Sequence, residues 1–333
     1  MSNNARYVQM TTTPIPKLVL QMAVPTIVAN LISSLYNMAD TYFVGSLGTS
    51  ATAGVGVVFS VMNIIQAIGF FFGQGSGNFI SRALGAQDTE GAAKTAATGF
   101  FSAFAAGLCV MVLGLMNLEP LAVFLGATET IKPHACNYMR FILMGAPFMA
   151  SSHVLNLMLR FQGNAVYGMT GMMAGAVLNI VLDPLFIFVF DMGVSGAALA
   201  TLLSQLISFS VLFYGTMREN SIGISFKNFS PSLQIYREIA KGGFPSLCSQ
   251  SLASVATISL NQAARLHGDA AIAAISIVTR ITNFAGSVVF GLSQGHQPVC
   301  GFNYGAKYYR RVKESYRLIR FYSLCGDEFL RRA

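Results

Sequence analysis

The sequence predicts an all-α polytopic membrane protein, and three observations carry that expectation. Hydrophobic residues make up 53% of the 333-residue chain. Charged residues contribute only 10%, against about 25% in a soluble domain. Apolar stretches of about 20 residues, the length that crosses a hydrocarbon core, recur along the sequence. Too few charges remain to clothe a soluble surface, which excludes an ordinary cytosolic enzyme. The net charge of +8 is carried between apolar runs, so it reads as membrane topology and not as a nucleic-acid footprint.

Eight spans are expected, over roughly 18–44, 51–79, 95–118, 135–159, 167–190, 195–217, 242–264 and 270–300. The first apolar run is too long for a cleavable signal and lacks a small-residue cleavage pattern. The expected organisation is a six-helix bundle over 1–217, a cytoplasmic linker over 218–241, a partial second bundle over 242–322 and an atypical tail over 323–333. The partial bundle holds two helices and a basic segment, Lys307 to Arg320, read as a cytoplasmic loop or, with Tyr304, Tyr308, Tyr309, Tyr316 and Phe321 interleaved, as a stretch lying on the anionic inner leaflet.

Lys and Arg set the orientation, because they accumulate in cytoplasmic loops. Seventeen fall on one side: Arg6, Lys17, Arg82, Lys94, Arg160, Arg218, Lys227, Arg237, Lys241 and the eight from Lys307 to Arg332. The opposite loops hold Lys132 and Arg265, while Arg140 and Arg280 fall inside spans. Both termini are therefore expected in the cytoplasm, in a plasma or inner membrane.

The chain repeats itself at an offset of 220 without a gap. Pro25 meets Pro245, Gly48 meets Gly268, Asn63 meets Asn283 and Phe70 meets Phe290. Gln74-Gly75 meets Gln294-Gly295, and Gly85-Ala86 meets Gly305-Ala306. One repeat holds six spans, an even number, so both copies cross in the same sense about an axis along the membrane normal. The second copy is expected to stop after two helices, where a whole protein of this design needs about four more.

Polar groups within spans mark the candidate site, because an ionisable residue at a helix centre costs at least about 2.5 kcal/mol. Asp40 lies near the outer end of the first span and Asp183 within the fifth. Asn179 precedes Asp183 by four residues and shares its helix face. Pro184 brings no N–H, which frees the Ile180 carbonyl beside the acid. At ~1.5 Å per residue, Asp40, Asp183 and Thr201 would sit ~6, ~10 and ~9 Å from one face, a depth that permits a common pocket. His153 and Asn156 on the fourth span, Asn63 and Gln66 on the second, and Arg280 on the eighth are candidate pocket residues. Of the Met169, Met172 and Met173 cluster, Met173 joins that list, since adaptable thioethers suit a promiscuous cavity.

Other chemistry finds no support. There is no GxGxxG, no phosphate loop and no GxSxG elbow, and Cys109, Cys136, Cys248, Cys300 and Cys325 are scattered. His134 and Cys136 supply two ligands, too few for a zinc site. No enzyme activity and no cofactor are expected.

At the polar residues the sequence resembles the multidrug and toxic compound extrusion (MATE) family of cation-coupled exporters. The likeness covers about residues 15–320 and rests on four features. These are the pattern from Pro25 through MADTYFVG, the RFQGN turn at Arg160–Asn164, LNIVLDPLFIF followed by GVSGAALATLLSQ, and GLSQGHQPVCGFNYGA at 291–306. The resemblance implies two six-helix bundles exporting cationic or amphipathic compounds by alternating access, in exchange for H⁺ or Na⁺. It implies Asp40, Asn179, Asp183 and Thr201 as cation-coupling residues, with Na⁺ held, if at all, at Asp40 and Asp183. The repeat counterpart of Asp40 is Leu260, so no duplicate site is expected. The expected partners are the lipid bilayer and small organic molecules. A flippase for lipid-linked precursors is the alternative within the class, although it calls for a basic central cavity. A non-transporting fragment or scaffold is the alternative outside it.

Overall fold

The computed structural model describes residues 3–217, 222–265 and 269–332, and within these every regular element is helical. The elements are α1 (Asn3–Thr12), α2 (Ile15–Gly45), α3 (Thr49–Gly85), α4 (Thr89–Met116), α5 (Leu118–Phe124), α6 (Lys132–Phe161), α7 (Ala165–Pro184), α8 (Gly193–Met217), α9 (Leu233–Arg265), α10 (Asp269–Gly305) and α11 (Tyr309–Arg332). Among the described residues six stretches are long and apolar enough to cross a membrane: α2, α3 from Ser50, α4, α6, α7 with its extension to Val189, and α8. They coincide with the first six expected spans. The seventh and eighth expected spans are helical as α9 and α10.

The sequence dictates where each helix starts and stops. α2 begins at a Pro14-Ile15-Pro16 entry, where missing N–H groups cost nothing because a first turn leaves them unpaired. Asp88 caps α4 by accepting the Gly91 N–H at 2.8 Å. α7 runs into Pro184, which has no N–H to continue the ladder. The chain answers with a π-helical turn over Leu185–Val189, and the Leu185 N–H bonds Leu182 O instead.

α6 is the hub of the first six spans. Burial within the molecule reaches 83% over its most apolar window, against 28–44% in the other five. Glycines let its neighbours approach closely, the usual device between membrane helices. A Cβ on Gly69, Gly73 or Gly77 of α3 would strike His153, Leu157 or Phe161 of α6 at 2.7 Å or less. One on Gly107 of α4 would strike Pro147.

The repeat is a structural fact of the described backbone. Gln87 and Lys307, 220 positions apart, both take the left-handed conformation (φ 63° and 62°) at the ends of α3 and α10. The same hydrogen bonds close both turns: Asp88 N to Ala83 O and Tyr308 N to Asn303 O, each 2.8 Å. α2 packs on α10, and its counterpart α9 packs on α3.

One expectation is corrected. The basic segment from Lys307 forms no loop: helix α11 starts at Tyr309, 220 residues after the start of α4 at Thr89. Its buried Ser315 stands where α4 buries Thr95. Counting apolar residues missed this helix because its basic residues recur at 310, 313, 317 and 320, one exposed stripe of a helical period.

Candidate functional site

The polar residues of α2, α7 and α8 meet inside the first six spans. Asp40, Asn179, Asp183 and Thr201 are all at least 96% buried. Asn179 hydrogen-bonds Asp183 one turn further along α7, and its Nδ2 donates to Thr201 Oγ1 at 3.4 Å. Thr201 also bonds the phenol of Tyr138 on α6. Tyr36, one turn before Asp40, lies within electrostatic reach of both acids, as Tyr138 does. Asp40 Oδ1 is buried with no hydrogen-bond partner, an arrangement that costs free energy unless something binds there.

Next to this cluster lies a cavity of about 340 Å³, walled by α2, α3, α6, α7 and α8. Asn179 and Thr201 line it, whereas Asp40 and Asp183 do not, Asp183 being joined to the wall by its hydrogen bond with Asn179. Its walls are amide and hydroxyl groups (Asn30, Asn37, Asn63, Gln66, Gln205, Ser33, Ser204, Ser208) alternating with Tyr36, Phe59, Phe70, Met62, Met149 and Met172. His153 joins the wall with its ring tilted against Phe70, centroids 5.3 Å apart. A ligand here meets aromatic and thioether surfaces and many hydrogen-bonding groups.

The structure sorts the sequence candidates. Asn63, Gln66 and His153 line the cavity. Met173 does not; its neighbour Met172 does, because one residue turns a helix face by about 100°. Asn156 faces elsewhere, donating to Gly168 O at 2.8 Å and accepting from Arg160. Arg280 lies on α10, and its side chain falls outside the described residues. The sequence reading missed Asn30, Ser33 and Asn37 of α2, and Ser204, Gln205 and Ser208 of α8. The signal was present: 30, 33, 37 and 40, and 201, 204, 205 and 208, are polar positions at helical spacing.

Arg160, expected in a cytoplasmic loop, belongs to the last turn of α6 and is 7% exposed. Its Nη2 donates to Gln294 Oε1 of α10 at 2.6 Å, and its Nη1 to Asn156 Oδ1 at 3.4 Å.

The MatE family model matches residues 25–185 and 245–325. Multidrug export protein MepA of Staphylococcus saprophyticus is 30% identical over 287 residues, which cover 86% of this chain and 64% of MepA. MepA of Staphylococcus aureus strain MSSA476 is 30% identical over 296 residues, covering 88% and 65%. The chain thus spans 64–65% of the length of these curated relatives. Among solved structures, a multidrug resistance MATE family transporter of the MOP superfamily in an outward-facing conformation superposes with a TM-score of 0.89 at 30% identity, covering 97% of this chain and 72% of that one. A MOP superfamily transporter from Pyrococcus furiosus, whose reverse-polarity binding pocket suggests a different function, gives 0.90 at 30% identity with the same coverages. Sequence and fold therefore agree, and the chain belongs to the MatE family, whose members are membrane transporters and not enzymes.

Proposed function

We propose that the protein exports cationic or amphipathic compounds in exchange for H⁺ or Na⁺, with Asp40, Asn179, Asp183 and Thr201 as the coupling site. The observation that carries this reading is the pair Asp40 and Asp183, on separate helices, buried beside a cavity, with Asp40 Oδ1 unpartnered. Two buried carboxylates within electrostatic reach of each other resist carrying charge together, so one bound proton or metal cation stabilises the pair. An organic cation in the adjoining cavity draws on the same negative charge and competes with that ion. Ion entry then expels substrate, and ion loss on the other side restores the site. The Asn179 carbonyl, the Thr201 hydroxyl and the Ile180 carbonyl supply further oxygens suited to a hard cation.

The reading extends to placement. Seventeen basic residues against two put both termini in the cytoplasm and the Asp40 end of the spans toward the outside. Alternating access has two sets of helices rocking about a shared site, and α9 to α11 belong to the second set.

The test is efflux of a fluorescent organic cation from proteoliposomes under an imposed proton or Na⁺ gradient. Asp40→Asn and Asp183→Asn keep size and much of the hydrogen bonding but cannot change charge. Each should abolish gradient-dependent efflux at unchanged protein level. Normal gradient dependence in both variants overturns the assignment.

A further inference from the structure

We propose that Arg160 and Gln294 form a latch that keeps the basic, cytoplasmic-side face of the protein closed, and that its release accompanies opening toward that face. Arg160 closes α6, the hub of the first repeat, and Gln294 lies on α10 of the second. Their 2.6 Å hydrogen bond is buried on both sides, at 7% and 3% exposure. It continues into the first repeat through Asn156, which accepts from Arg160 and donates to Gly168 O at the start of α7. α7 carries Asn179 and Asp183 at its other end. The latch therefore joins the helix of the candidate coupling site to the opposing half of the molecule.

Its chemistry suits a bond that must both hold and let go. Among the described residues Arg160 forms no ion pair; its acceptors are two neutral amides. A buried guanidinium held this way keeps a hydrogen bond stronger than a neutral one yet bears an uncompensated desolvation cost. Opening the seam returns the charge to water, which offsets the lost bond. Near it the two halves approach closely: a Cβ on Gly295 would strike Ala23 at 2.4 Å, and one on Gly301 would strike Ser81 Oγ at 2.0 Å. Arg160 and Gln294 thus form a buried, charge-assisted link between the halves, beside the partly exposed Arg82–Glu238 pair.

The inference rests on the transporter reading, but its test reads only access to the seam. In the full chain, with the five native cysteines replaced, Ser81→Cys reports the seam and Ser151→Cys reports the interior of the first bundle; both serines are 0% exposed. Labelling by a membrane-permeant maleimide is followed in vesicles. Gln294→Glu neutralises the buried charge and should slow Ser81→Cys labelling about tenfold; Gln294→Ala removes the charge-assisted bond and should speed it about tenfold. Ser151→Cys labelling should hold steady throughout. Rates at Ser81→Cys that agree within about twofold across all three proteins overturn the latch. So does Gln294→Ala raising both reporters together, since that outcome is general loosening. Opposite shifts in a protein that fails to move organic cations would leave the latch standing and sink the transporter reading alone.

Discussion

Gly85 and Gly305 each press against the other's helix in the same way. A Cβ on Gly85 would meet Phe302 O at 2.1 Å, and one on Gly305 would meet Arg82 O at 2.0 Å. Phe302 and Arg82 are themselves 220 positions apart, so each contact is the repeat image of the other. α3 and α10 cross here backbone to backbone, and the two halves meet through a pseudo-two-fold contact that only glycine permits.

Gly85→Ala and Gly305→Ala should therefore be matched in effect. The obstacle is a backbone carbonyl, which cannot swing aside like the end of a flexible side chain. Each change should destabilise the folded protein by about 1–3 kcal/mol through forced separation of the helices. Gly56→Ala is the control, since nothing lies within 4 Å of its Cβ position, and its change should be near zero or slightly favourable. Thermal melting in detergent checks all three. Equal melting temperatures for Gly85→Ala and Gly56→Ala would contradict the crossing.

A second prediction concerns pH at the basic face. Glu238 lies in the first turns of α9, before the expected span at 242–264. It accepts from Lys241 Nζ at 2.6 Å and Arg82 Nη2 at 3.1 Å, tying α9 to α3. The hydrogen bond from Lys241, with that from Arg82, holds the Glu238 carboxyl below the ordinary glutamate range. A lowered folded-state value means stability that is present above the unfolded value and lost as pH falls through the folded one. Because the ion pairs are partly exposed, the contribution is about 0.5 kcal/mol. Glu238→Gln should therefore converge on wild type as pH falls through the lowered folded-state value and fall short of it by that amount near neutrality. Parallel stability curves with no such convergence would remove Glu238 from the account.

Much of this architecture was legible in the sequence. The first six spans follow from hydropathy, and the in-register matches at Gln74-Gly75 and Gly85-Ala86 revealed a repeat that now appears as shared turns at Gln87 and Lys307. That Asp183 and Thr201 could share one cluster is readable from residue counts, because a helix rises by a fixed step, and Asn179 bonds both. Azimuth is less so: the sequence points to Met173 where Met172 lines the cavity, and a one-residue shift moves the side chain about 100° around the axis. Arg160 resisted the reading for another reason. Its acceptor, Gln294, is 134 residues away, and a charge at a span's end looks like topology until a distant helix covers it.

Orientation supplies a third prediction. Cysteines introduced singly at 45–50 or 265–269, in a background without native cysteine, should react with an impermeant maleimide added outside intact cells. Cysteines beside Asp88 or Asn228 should react only after permeabilisation. The expectation comes from the Lys and Arg asymmetry alone. The reverse pattern would invert the topology and with it the direction in which the Arg160 latch opens.

The last prediction isolates the hydroxyl of Thr201. This group accepts from Asn179 Nδ2 at 3.4 Å and bonds Tyr138, and Thr201 lines the cavity. Thr201→Val keeps the branched shape and removes only the hydroxyl. The bundle should stay folded, because a valine of nearly equal volume fills the same space, although Asn179 and Tyr138 each lose a partner. Losing one hydrogen bond of about 1 kcal/mol should weaken binding of the coupling cation roughly fivefold. The effect should appear as a higher ion concentration for half-maximal stimulation of efflux, with the maximal rate preserved at saturating ion. Thr201→Ser restores the hydroxyl and should recover most of the affinity despite losing a methyl group. Were Val and Ser to behave alike, packing and not the hydroxyl would be what Thr201 contributes, and ion binding would fall to Asp40, Asp183 and Asn179. A drop in maximal rate with unchanged ion dependence would instead place Thr201 in the moving contact between α7 and α8.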